Sequence, residues 1–328
     1  MIGFDNNFIR GELLIQAKNN NKIVMGPWYH GQWGANDGTH LGNVQWGSNT
    51  SAWYGKNIEL PFFDYYLKNK GSIDQIKEAN IFFSGSNEWK QLPSWPVANM
   101  KMETFLLSDQ GKIRQGSKST QLTSFESYIS DPAKPVPYIS DNYMMKSKPK
   151  RHYREYMDED QKFTSRRTDV LVYSTPILTS DLVLGGPVVA DLMVAMSGTD
   201  ADFVVKLIDV YPDNFEYTSN QTDYLMSGYQ QLVRGEIMRG KYRNSYEKPE
   251  AFVPNKPTQV KFALPDIAHT FKKGHRLMIQ IQSSWFPLVD RNPQQFMDIY
   301  QAKDSDFKKA TIRIYNNASS IQLPVIKD

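Results

Sequence analysis

The segment Arg276-Leu277-Met278-Ile279-Gln280-Ile281-Gln282 decides the larger part of the fold. Leu277, Ile279 and Ile281 fall on one side of an extended chain and Met278, Gln280 and Gln282 on the other, because successive side chains of a strand point to opposite faces. The same period of two runs through 310–315 (ATIRIY) and 259–264 (QVKFAL). Upstream it continues through 203–211 (FVVKLIDVY), 188–196 and Thr104-Phe105-Leu106-Leu107, which leads into the turn Ser108-Asp109-Gln110-Gly111. Short alternating segments separated by turn residues predict an all-β jelly-roll (β-sandwich) domain over 99–328.

Residues 1–98 have a different texture. The stretch 8–18 (FIRGELLIQAK) carries apolar residues at helical spacing and stops at Asn19-Asn20-Asn21. Residues 22–25 form a short apolar strand ended by Gly26-Pro27, and 79–84 form another. Between them 57–68 (NIELPFFDYYLK) predicts a helix that tolerates Pro61 in its first turn. Helices alternating with buried strands predict an α/β layer. The region 124–168 is polar and rich in tyrosine and proline. It reads as a long surface excursion, with the basic run 146–154 paired against the acidic 155–160.

Composition narrows the function classes. The 328 residues allow about two domains. With 38 Lys+Arg against 35 Asp+Glu the net charge is only +3, which argues against a nucleic-acid partner. No apolar run approaches the roughly 20 residues of a membrane-spanning helix. Zero cysteines exclude disulfides, thiolate metal sites and a cysteine nucleophile. The stretch Met1 to Asn7 has no basic region followed by an apolar one, so it is not read as a signal peptide.

The candidate chemistry lies near the start. His30 follows the strand stop in Val24-Met25-Gly26-Pro27-Trp28-Tyr29-His30-Gly31, where α/β enzymes place loop chemistry, and its ordinary pKa of about 6.5 suits acid–base work. Asp5 precedes one helix and one strand, a layout that puts it at the end of a neighbouring strand where a carboxylate can fix the imidazole tautomer. It could equally cap the helix starting near Phe8. A nucleophile should precede both, yet none of the 20 glycines opens a Gly-x-Ser-x-Gly elbow. Asp200, Asp202 and Asp209 could offer oxygen ligands to a cation but read better as turn and edge residues. His275, near His269, reads as a hydrogen-bonded packing residue. Trp285-Phe286-Pro287-Leu288 could line a substrate mouth or bind sugar, and reads better as packing against the 1–98 segment.

Several ordered motifs carry a resemblance. Gly26-Pro27-Trp28-x-His30, Pro61-Phe62-Phe63-Asp64-x-Tyr66-Leu67-Lys68, Asn87-Glu88-Trp89 and Ser94-Trp95-Pro96 come first. Gly198-Thr199-Asp200-Ala201-Asp202-Phe203, Leu232-Val233-Arg234-Gly235-Glu236, Gly274-His275-Arg276 and Ser283-Ser284-Trp285-Phe286-Pro287 follow. Together they resemble the cocaine esterase, X-Pro dipeptidyl-peptidase and α-amino acid ester hydrolase (CocE/NonD) superfamily along essentially the whole chain. The resemblance implies an α/β-hydrolase C-terminal fragment over 1–98 followed by the family's jelly roll. It implies that Asp5 and His30 are the triad acid and histidine, with the serine, oxyanion-hole tyrosine and helical cap upstream of Met1. The ester hydrolases of the group carry acidic residues two and three positions after the triad aspartate. Here those positions hold Asn7 and Phe8, which argues against strict α-amino ester specificity.

The expectation is therefore the C-terminal portion of a serine hydrolase (esterase, acylase or dipeptidyl-peptidase-like) acting on a small ester, amide or peptide. It needs no metal or organic cofactor, and alone it should show little turnover. Its expected partner is the missing N-terminal hydrolase half or a second copy, with neither nucleic acid nor membrane. Full-length members of the family suggest a periplasmic or secreted enzyme. The rival reading is a non-catalytic jelly-roll binding module with a vestigial hydrolase segment.

Overall fold

A computed structural model describes residues 21–140, 156–217 and 225–327. The expected helix at 8–18 lies outside the described residues. The first strand, β1 (Ile23–Met25), pairs in parallel with β4 (Ala79–Phe83), and β4 pairs antiparallel with β5 (Glu88–Leu92). Between β1 and β4 come α1 (Gln32–Ala35), the hairpin β2 (His40–Leu41) and β3 (Val44–Gln45), then a longer helical run. That run starts at α2 (Thr50–Tyr54), passes through a π turn at Gly55–Glu59 and ends as α3 (Leu60–Lys68). It begins well before residue 57 because Asn49 caps it, its side chain accepting from Ala52 N–H at 2.8 Å. Pro61 therefore does not sit in the first turn of the whole run, as expected, but directly after the π turn, at the start of α3. None of the described helices is long and apolar enough to cross a membrane.

The remaining chain is a β-sandwich. Its strands are β6 (Met100–Ser108), β7 (Lys112–Gln115), β8 (Phe125–Ser130), β9 (Leu171–Ser174), β10 (Leu182–Met196), β11 (Asp202–Val210), β12 (Gln230–Arg239), β13 (Thr258–Phe271), β14 (Arg276–Gln282), β15 (Ala310–Tyr315) and β16 (Ser320–Ile326). Their ladder runs β12-β11-β14-β9-β7-β6-β16-β10-β15-β8, with β13 paired to β10. It folds over one core, with Leu107, Leu192, Val205, Leu207, Ile279, Ile281, Ile312 and Ile321 among its buried members. The fifteen-residue β10 serves β13, β15 and β16 at different points along its length, and its register shifts between Gly186 and Val188. Such a bulge bends a strand and lets it change partners.

Two expectations change here. The 124–168 region is not a surface excursion throughout: β8 pairs with β15, and Tyr156, Asp158, Glu159, Asp160, Gln161 and Thr164 are buried. The reason is a polar interior face. Gln280 and Lys206 point out of the main core toward this segment, and Thr164 Oγ1 donates to Gln280 Oε1 at 2.7 Å while Lys206 Nζ donates to Gln161 Oε1 at 2.9 Å. The basic run 146–154 lies outside the described residues. Among the described residues Trp285, in turn, clusters with none of the N-terminal segment. It is 1% exposed in a cluster with Tyr156, Leu232 and Met278 on the face of β11 and β14 turned away from the main core.

A second apolar seam joins the small sheet to the sandwich. Ala79, Ile81, Phe83 and Trp95 pack with Val183 of β10, Ala268 of β13 and Ile326 of β16. At the end of β4, Ser84 N–H donates to Ala268 O (3.2 Å) and Thr270 N–H to Ser84 O (2.8 Å). Gly85 follows with φ +84°, where a Cβ would collide with the Thr270 carbonyl oxygen. Trp95 Nε1 donates to the buried Asp266 Oδ2 at 2.7 Å. Trp95→Phe removes that donor from an anion in the seam and is expected to cost about 1–3 kcal/mol. Urea denaturation would show it as a lower midpoint at unchanged slope.

Candidate functional site

The loop carrying His30 is held by its neighbours. Trp28 is 6% exposed, its Nε1 donating to Thr50 Oγ1 at 2.8 Å, while Thr50 Oγ1 donates to Gly38 O at 2.6 Å. Its ring meets those of Tyr54 (5.5 Å) and Trp89 (5.6 Å), and Trp89 stacks on Trp53 at 4.4 Å. Tyr29 N–H donates to Gln32 Oε1 (3.1 Å), and Gln32 Nε2 donates onward to His40 O (2.8 Å). Gly31, with φ +79°, turns the chain into α1. The effect is a rigid loop that presents His30 outward. The imidazole is exposed, lies edge-on to Trp33 at 6.2 Å, and has no hydrogen-bond partner among the described residues. Asp5 lies outside the described residues.

The other candidates separate. Asp200 and Asp202 share Asn292, whose Nδ2 donates to Asp200 Oδ2 (3.1 Å) and Asp202 Oδ1 (2.8 Å). Asp202 also pairs with Arg239 at 3.1 Å, and Asp200 accepts from the backbone N–H groups of Ala201 and Lys241. Burial, added to by the neighbouring Asp202 charge, pushes Asp200 up to about 6. These oxygens already face N–H donors, the opposite of a cation's needs. Asp209 belongs elsewhere. Its Oδ2 lies 3.1 Å from His269 Nε2 and its Oδ1 2.9 Å from His275 Nδ1. Thus His275 is a hydrogen-bonded packing residue, as expected.

Sequence reasoning missed what His269 does next. Its Nδ1 lies 2.8 Å from Ser84 Oγ, so Ser84, His269, Asp209 and His275 form one chain of contacts across the seam. Burial alone would raise the Asp209 carboxyl, but the hydrogen bonds and charges of the two histidines hold it below its ordinary value. A carboxylate in that state accepts from His269 Nε2–H. With Nε2 turned to Asp209, Nδ1 is the ring nitrogen left to face the Ser84 hydroxyl. The available signal was Asp209 itself, an acid in the apolar run 203–211, since buried polar groups demand partners.

Beside Ser84 lies a cavity of about 50 Å³, lined among others by Pro27, Trp46, Ser84, Gln231, Arg234 and Ala268. Arg234 is buried, with Nε donating to Asp266 O (2.5 Å) and Nη1 to Val233 O (2.8 Å). Burial lowers it to about 10 in spite of Asp266. Trp46 Nε1 has no hydrogen-bond partner among the described residues.

Comparison with known proteins places these features in context. Residues 64–321 match the family described as "X-Pro dipeptidyl-peptidase C-terminal non-catalytic domain". The cocaine esterase of Rhodococcus sp. (strain MB1 Bresler) is 28% identical over 99% of this chain and 55% of its own length. An aminopeptidase from the marine sediment archaeon Thaumarchaeota archaeon superposes with TM-score 0.85 and 37% identity, over 94% of this chain and 50% of its own. An α-amino acid ester hydrolase gives TM-score 0.84 and 36% identity over 93% and 50%. The chain thus spans about half the length of these relatives.

Proposed function

The chain belongs to the X-Pro dipeptidyl-peptidase C-terminal family found in CocE/NonD hydrolases, and from that membership we propose that it is the C-terminal portion of a serine hydrolase of esters, amides or peptides. In this reading residues 1–98 complete an α/β-hydrolase domain and 99–328 form its jelly roll. The triad serine lies outside this chain. His30 takes the serine proton and passes it to the leaving group, while Asp5 orients the imidazole.

The observation that carries the reading is the His30 loop: a solvent-facing imidazole on a braced turn directly after β1, with no internal task for it among the described residues. The exposed side of α3 supports it. Leu60, Phe63, Tyr66 and Leu67 are 55%, 48%, 47% and 73% exposed on a nine-residue helix, an apolar patch that calls for a covering surface. The absent hydrolase half, about as long again in the relatives, would supply it.

The test joins this chain to the N-terminal half of the archaeal aminopeptidase and follows amino-acid ester and aminoacyl-anilide hydrolysis. Turnover is expected in the joined protein and not in the 328-residue chain, and His30→Ala should reduce it by about 10⁴-fold or more. Turnover indifferent to His30→Ala would sink the assignment. The rival reading, a binding module, is favoured by one observation: the matched family is described as non-catalytic, and its match begins at residue 64, beyond His30. Retained binding of a glycan or protein partner with no gain of turnover on joining would select it.

A further inference from the structure

We infer that Ser84 is an acylable nucleophile, activated by His269 and not by His30. Its components are those that activate a serine: a hydroxyl 2.8 Å from an imidazole nitrogen, and a buried carboxylate 3.1 Å from the other nitrogen of the same ring. The ring nitrogens are exchanged relative to the familiar serine-protease order, Nδ1 facing the hydroxyl and Nε2 the carboxylate. The roles depend on which nitrogen is held by the acid, and here Asp209 holds Nε2 as the donor. His269 is 0% exposed, so its orientation is fixed by packing, with its ring edge-on to Phe271 at 4.7 Å. The alternative acceptor for the Ser84 hydroxyl is Ala268 O, more distant at 3.3 Å.

The cavity supplies the rest. Ser84 lines it together with Arg234 and Trp46. Arg234 is anchored to Asp266 O, two residues along β13 from Ala268, so the cation sits next to the strand that Ser84 joins. A cationic residue in the cavity wall suits the oxyanion that forms when a hydroxyl adds to a carbonyl. At about 50 Å³ the cavity is small, which favours a short acyl group such as acetyl.

The step balances without a co-reactant. Ser84 Oγ bonds to the carbonyl carbon of an activated acetyl ester, its proton passes to His269 Nδ1, the bond to the leaving oxygen breaks, and that oxygen leaves with the proton as the alcohol or phenol. The product is O-acetyl-Ser84.

The 328-residue chain is treated with p-nitrophenyl acetate, and separately with a small fluorophosphonate, then analysed by intact mass and peptide mapping. One adduct is expected per chain, on Ser84, together with a stoichiometric burst of nitrophenol. Ser84→Ala should abolish both, Ser86→Ala should leave both unchanged, and His269→Gln should slow the burst by about 100-fold. Far-UV and near-UV circular dichroism establish that each variant is folded. A folded wild-type chain that stays unlabelled at Ser84, or labels equally in Ser84→Ala, overturns the inference. Neither result bears on the His30 proposal, whose readout is turnover in the joined protein.

Discussion

Lys206→Met is expected to stabilise the protein near neutrality and to lose that advantage in base. Lys206 is 0% exposed in the middle of β11, with Nζ 4.9 Å above the Trp285 ring and donating to Gln161 Oε1. Burial lowers its pKa from 10.5 to about 7, and the Glu159 charge offsets only part of that. The native state gives up this proton near pH 7 and the unfolded chain holds it until about 10.5, so the unfolded state binds more protons across that interval. Stability therefore rises with pH from about 7 to about 10.5. Below 7 the ammonium exerts its whole penalty, of order 5 kcal/mol at 1.36 kcal/mol per unit. Methionine matches the shape, keeps a favourable contact with the indole, and removes the charge, at the expense of leaving Gln161 Oε1 without its donor. The net gain expected near pH 6 is about 1–4 kcal/mol. Urea midpoints at about pH 6, 8 and 10 measure it. A wild-type–variant difference that does not change with pH would show that Lys206 does not titrate as argued.

The same polar face explains which parts of the fold were legible. The segments 276–282 and 310–315 are strands over their whole expected spans, because Leu277, Ile279, Ile281, Ala310, Ile312 and Ile314 all face the main core. The alternation did not reveal that the opposite face of 276–282 is buried too, since Gln280 and Gln282 are 0% exposed. Gln280 is covered by a segment equally polar, Gln161 to Thr164, which composition alone marks as surface, while Gln282 donates to Ser284 O. Two polar stretches hidden against each other leave no hydropathy signal, and only their hydrogen bonds make the burial tolerable.

The site was legible where it is local and illegible where it is not. The strand stop at Gly26-Pro27 and the tryptophan that follows marked the His30 loop directly, since a strand, its breaker and the candidate side chain lie within eight residues. The relay at Ser84 joins residues 185, 60 and 66 positions apart, and no short pattern encodes such separations. Strand geometry could still have separated the three aspartates. At about 3.3 Å per residue, Asp202 and Asp209 stand roughly 23 Å apart along β11 and on opposite faces, too far for one ion.

Asp209→Ala should be among the most damaging single substitutions in the chain, lowering stability by about 3–5 kcal/mol at neutral pH. Asp209 is 1% exposed, and its two oxygens are the partners of His269 Nε2 and His275 Nδ1, on rings 0% and 7% exposed. Removing the carboxylate leaves two imidazole N–H groups in the seam between β11, β13 and the turn into β14 with nothing to accept them. It also opens space beside Tyr211, whose ring lies 4.8 Å from that of His275. Asp209→Asn keeps the shape but offers one acceptor where two donors need one each, so it should recover only part of the loss. The pH dependence has a definite sign. Because the native carboxyl is held below its unfolded value by the histidines, its contribution is complete above the ordinary range near 3.9 and disappears as pH falls through the lower native value. Wild type should thus lose stability on acidification more steeply than Asp209→Ala, and the two denaturation midpoints should converge in acid. Midpoints that stay parallel down to about pH 3 would mean that Asp209 is not the charged centre of the histidine pair.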